Sequence, residues 1–192
     1  LARSRGLGDV YKRQAVGYAL MSYLMTATPL QVVNVAKLGN SANATIIQWH
    51  VVAMFLPSFF TGSLIGRFGA FRILWSGVAF YLASIFLAVT AAGFWPYWLA
   101  LVAAGLGWNF LFVGGTSLVA RVAEPEERGR VQGFADLMTM TTVAAASLSA
   151  GAIHSQLGWE ALSLAALGPL SLVCAGLLWL GVIMGRDKPR AA

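Results

Sequence analysis

No charged side chain lies between His50 and Arg67, and this one uncharged run limits what the chain can become. Beginning near Thr45 and closing at Ile65, the run has the length of a helix that crosses hydrocarbon, which takes about 20 apolar residues. It contains Pro57 and leaves through Gly62-Ser63-Leu64-Ile65-Gly66-Arg67-Phe68-Gly69 into a second apolar run at Phe71. A connection that short forces adjacent, antiparallel spans. The apolarity is continuous, without the period-two alternation of a membrane β-barrel. With 58% hydrophobic and 10% charged residues and a mean hydropathy of +0.73, the chain has too little polar surface to cover a soluble globule.

The fold class these features predict is an all-α membrane protein with six transmembrane helices. The apolar runs fall at about 15–35, 45–65, 71–92, 95–122, 131–153 and 162–184, with a polar tail over 186–192. Trp95, Pro96, Tyr97 and Trp98 form an aromatic belt of the kind found at membrane interfaces. Gly105, Gly107, Gly114 and Gly115 interrupt the fourth run, and the fifth is rich in threonine and alanine. Cys174 stands alone inside an apolar run, which excludes an intrachain disulfide and a cysteine metal cluster.

The first fourteen residues differ from everything that follows. Asp9-Val10-Tyr11-Lys12-Arg13-Gln14 is what GAT GTG TAT AAG AGA CAG encodes, a string that resembles the transposon end used in sequencing libraries. Residues 1–14 are therefore read as a translated adapter, expected to be disordered, and are set aside from the fold. Without Arg3, Arg5, Lys12, Arg13 and Asp9 the chain keeps nine basic and six acidic residues, so its net charge falls from +6 to +3.

Basic residues set the expected orientation. Arg67, Arg72, Arg121, Arg128, Arg130, Arg186, Lys188 and Arg190 fall on one side of an alternating six-span topology, and Lys37 falls on the other. That bias predicts a cytoplasmic C-terminus in an inner or plasma membrane.

Polarity is shared unevenly. Thr26, Thr28, Gln48, His50, Asn109, Asp136, Thr139, Thr141 and Thr142 occupy spans one, two, four and five, whereas spans three and six offer little beyond serines and Tyr81. A mid-membrane aspartate costs roughly 2.5–3.5 kcal/mol on insertion scales, so such groups turn towards protein or a water-filled cavity. Four spans are expected to line a pathway and two to face lipid, the pattern of a duplicated three-helix unit.

In this order and spacing the motifs resemble the C-terminal six-helix half of a major facilitator superfamily transporter. Gly62 to Gly69 resembles the second-half copy of the family's loop signature, Gly-x-x-x-Asp-Arg-x-Gly; Gly62, Arg67 and Gly69 match it, and Gly66 stands where the aspartate would be. Pro125-Glu126-Glu127-Arg128-Gly129 resembles the turn between the fourth and fifth helices of a half, and Met25-Thr26-Ala27-Thr28-Pro29 and Gln48-Trp49-His50 complete the likeness. The resemblance implies a 3+3 inverted repeat, a missing N-terminal six-helix half as partner, and a small-molecule substrate moved by alternating access, with protons as the candidate coupling ion. It implies no cofactor, no metal and no nucleic-acid partner.

Each candidate has a structural reading beside the functional one. His50 serves either proton or substrate chemistry or an interfacial hydrogen bond, and Gln48 sits about 200° round the helix from it. Asn109 either binds substrate or bridges helices. Asp136 either lines the pathway or is neutralised by Arg130 or Arg121. No Ser-His-Asp order, phosphate-binding glycine loop or His-x-x-x-His spacing is present, which points away from an enzyme. The competing class is a non-transporting six-helix scaffold or sensor, or a half-size bundle that dimerises.

Overall fold

The structure, a computed structural model, describes Ala2–Val122 and Arg128–Arg186. Its elements among these residues are helices: α1 (Ala2–Pro29), continued by a π-helical segment (Leu30–Val35), α2 (Gly39–Phe55), α3 (Ser58–Phe68), α4 (Ala70–Val89), α5 (Phe94–Val122), α6 (Arg128–Ala165) and α7 (Leu167–Arg186). The Pro125–Glu127 part of the expected turn and the tail beyond Arg186 lie outside the described residues. Residues 2–14, expected to be disordered, extend α1 instead.

Proline chemistry explains two of the departures from straight helices. Pro29 has no N–H to give to Met25, and the chain after it widens to the π register, with Ala36 N–H donating to Gln31 O at 2.8 Å, five residues back. Pro57 likewise cannot bond to Ala53, so the second span is two helices, α2 and α3, bent by 42°. This span begins at Gly39, earlier than the predicted Thr45, because Lys37 (φ 55) and Gly39 (φ 86) turn the chain within three residues.

Ala70–Val89, Phe94–Ser117 and Gln132–Trp179 are long and apolar enough to cross a membrane, and α2 with α3 passes as one bent span. A straight helix of the last stretch, 48 residues, would reach about 72 Å, more than twice a hydrocarbon core of about 30 Å. Gly158 divides it, taking φ 79 and ψ −179, a conformation open to glycine and costly for other residues. The expected loop after Ile153 is thus mostly helical.

α5 is the central helix, packing against α1, α2, α3 and α4, while α1 lies along α6 and touches α7. Glycines do not break α5. They let neighbours approach it: a Cβ on Gly105 would stand 2.7 Å from His50 O, and one on Gly107 2.9 Å from the Tyr81 ring. Such close approach supplies the van der Waals contact that drives helix association once lipid has removed the hydrophobic incentive. Tyr81, fully buried, donates its hydroxyl to Gly17 O at 2.8 Å and ties α4 to α1.

Candidate substrate pathway and loop motif

The candidate residues separate into buried ties and exposed groups. Asn109 on α5 is wholly buried and spends its amide on the bend at Pro57. Its Nδ2 donates to Met54 O at 2.7 Å and to Ser58 Oγ at 2.5 Å, and its Oδ1 lies 2.6 Å from the Thr61 hydroxyl, which also has Pro57 O within 2.8 Å. The side chain therefore supplies hydrogen bonding at the point where proline interrupts the helix ladder.

His50 is also wholly buried, with Nδ1 at 2.7 Å from Leu101 O. That carbonyl only accepts, so Nδ1 carries the proton in a neutral ring and Nε2 presents a lone pair. Nε2 has no partner among the described residues. Gln48, two residues earlier, is exposed. Spacing alone requires this opposition on a helix of 3.6 residues per turn.

Thr28, fully buried, returns its hydroxyl to Leu24 O at 2.8 Å within its own helix. Thr26 is exposed and donates to Ser147 Oγ on α6 at 3.3 Å. Asp136 is exposed and accepts from Gln132 Nε2 at 2.8 Å. Eleven residues, about three turns, bring Asp136 and Ser147 to within about 20° on α6. Thr26, Ser147 and Asp136 thus mark one edge, along α1 and α6. The side chains of Arg121, Arg128 and Arg130 lie outside the described residues; Arg128 is the first residue of α6.

The loop motif sits at one end of the bundle. Gly62 and Gly66 are exposed, and a Cβ on either would meet open space. Gly69 closes α3 with φ 85 and ψ 146 and gives its N–H to Ile65 O at 2.9 Å, so its place in the motif has a backbone cause. Arg67 lies in the last turn of α3, where the helix dipole favours a cation, with its guanidinium 5.4 Å from the Phe68 ring centroid.

At the opposite end is a cluster that sequence reading passed over. Gln31, on the π segment, donates Nε2 to Tyr97 Oη at 2.8 Å and places Oε1 3.1 Å from His154 Nε2. Trp159, whose ring lies against those of Tyr97 and His154, donates its indole N–H to Ala88 O at 2.8 Å. A glutamine two residues after a proline inside an apolar run was the available signal. A cavity of about 450 Å³ opens between α1, α6 and α7, bordered by Tyr23, Thr142, Ser149 and Pro169; of the polar residues expected to line a pathway it is bordered by Thr142, and not by Thr26, Thr28, Gln48, His50, Asn109 or Asp136.

Apolar helices of spanning length, joined by short turns and cross-linked by buried polar side chains, define a multi-pass α-helical membrane protein. The sequence profile described as Major Facilitator Superfamily matches residues 14–192, and the chain belongs to that superfamily. It is 41% identical over 175 residues to the riboflavin transporter RfnT of Brucella anthropi, covering 91% of this chain and 42% of that protein. It is 31% identical over 147 residues to the uncharacterized MFS-type transporter YddS of Bacillus subtilis, covering 76% of this chain and 34% of the relative. A shorter match, 34% over 91 residues, is to the multidrug resistance protein MdtH of Yersinia enterocolitica, 47% of this chain and 22% of that one. No solved structure matches. The chain thus spans less than half the length of these curated relatives, which are named as transporters or resistance proteins and not as enzymes.

Proposed function

We propose that this chain is the C-terminal half of a secondary transporter that moves a small organic solute across the inner membrane by alternating access. The observation that carries the reading is the match to one transporter superfamily over residues 14–192. In this reading the six predicted spans form a 3+3 inverted repeat with the C-terminus in the cytoplasm, and they rock against a six-helix N-terminal half. The coverage of 42% of a 41%-identical relative supports a partner half.

Thr26, Gln48 and Asp136 are the pathway candidates whose side chains are exposed, and Thr28, His50 and Asn109 hold the pathway's walls. Proton coupling rests on Asp136 and on His50, whose lone pair at Nε2 is a ready acceptor. Riboflavin is the first solute to try, because the 41%-identical relative is named for it. The full-length protein in proteoliposomes should show saturable riboflavin uptake that slows when a proton ionophore collapses the gradient. Unchanged flux after collapse removes the coupling, and exchange of neither riboflavin nor a panel of uncharged organic solutes removes the transport reading.

A further inference from the structure

Gln31, Tyr97 and His154 come from three helices and meet at the end of the bundle opposite Arg67. Gln31 and Tyr97 are nearly inaccessible, at 8% and 3% exposed. The segment that carries Gln31 departs from the regular α-helical ladder. Pro29 removes one ladder bond, the π register is a rare interruption of an α-helix, and Lys37, two residues past the segment, turns the chain at φ 55. A π segment can rewind to α by passing its extra residue along the chain, which rotates every side chain beyond it. What opposes that rotation here is the Gln31 amide, bound on one side to α5 and on the other to α6. The Trp159 indole, anchored on the last turns of α4, backs both of its partners.

We propose that Gln31, Tyr97 and His154 are a latch that holds Leu30–Val35 against α5 and α6, and that its release lets the segment rewind and open this end of the pathway. The latch rests on the transport reading above. In that reading it lies on the outer side and gives one half a local gate of its own, separate from the rocking of two halves. His154 donates from Nε2, so the latched state holds that tautomer or the protonated ring. Among the described residues, the Gln31 amide is bonded to it and the Trp159 ring lies against it, with Tyr97 on the far side of both.

Hydrogen exchange of the full-length protein in lipid nanodiscs, followed by mass spectrometry over Leu30 to Leu38, reads the latch without transport. Gln31→Leu and His154→Leu should each speed exchange there at least ten-fold, and the double variant should go no faster than the faster single. Gln31→Glu, which still accepts from His154 and takes the Tyr97 bond in the reverse sense, with the phenol donating, should stay within two-fold of wild type. Ser155→Ala, an exposed neighbour bonded to its own helix, should also leave exchange unchanged. If Gln31→Leu fails to assemble, Tyr97→Phe removes a single oxygen and is read in the same way. Singles within two-fold of wild type, or a double whose effect is the product of the two, would overturn the latch. Faster exchange with unaltered solute flux would overturn its role as a gate. Absence of flux in the wild-type protein would count against the transport reading and leave the exchange result standing.

Discussion

Asn109 shows how a polar residue in a membrane helix becomes structural. Pro57 opens the helix ladder, and one amide on a neighbouring helix bonds Met54 O, Ser58 Oγ and Thr61 Oγ1 around the gap. Asn109→Leu leaves those groups to find other partners, and orphaning a buried polar group costs about 1–3 kcal/mol. The variant should melt at lower temperature in detergent while still inserting, whereas Ser58→Ala, which removes one bond of the set, should cost less. Equal melting of Asn109→Leu and wild type would contradict the assignment. The sequence marked Asn109 as a bridge or a binding group, and the opposite facing of Gln48 and His50 followed from their spacing. The partners of Asn109 were not legible, because they lie 48 to 55 residues away along the chain and depend on how α5 meets the bend. Gln31 and His154 went unmarked for the same reason, since each is an ordinary residue until the fold brings them together.

At the scale of elements, α5 acts as the spine, and its glycines decide how close the neighbours come. Gly105→Ala places a carbon 2.7 Å from His50 O, so α2 must move away. Gly62→Ala on α3 meets nothing. The first substitution should lower thermal stability and folded yield, and the second should leave both unchanged, as fluorescence-detected size exclusion would report. Arg67, at the end of α3, carries the other element-scale prediction. If it latches this half to another by its planar fork, Arg67→Ala and Arg67→Lys should both alter transport rate with insertion intact; if it serves only as a topology charge, Arg67→Lys should transport as wild type. Pro57, visible in the sequence, is the residue at which the second span bends. The continuation of α6 to Gly158 carried no such signal, because the apolar run ends at Ile153 while helix-compatible residues go on.

For the whole molecule, the proposed function implies a division of labour among spans. In the proposed reading Leu82 and Phe86 of α4 and Leu172 and Leu178 of α7, all exposed and apolar, face lipid. In the same reading the exposed Thr26 of α1 and Asp136 of α6 face the pathway. Composition and run length made the membrane class legible at once, and the motifs made the superfamily legible. The pairing of helices was not, since lipid-facing and protein-facing apolar side chains look alike in a sequence. The division is tested by reacting single cysteines at Thr26, Asp136, Phe86 and Leu172, in a Cys174→Ser background of the full-length protein, with a membrane-impermeant thiol reagent. The account predicts that cysteines at 26 and 136 are labelled and that those at 86 and 172 are protected by lipid; comparable labelling at all four positions, or at 86 and 172 alone, would contradict it.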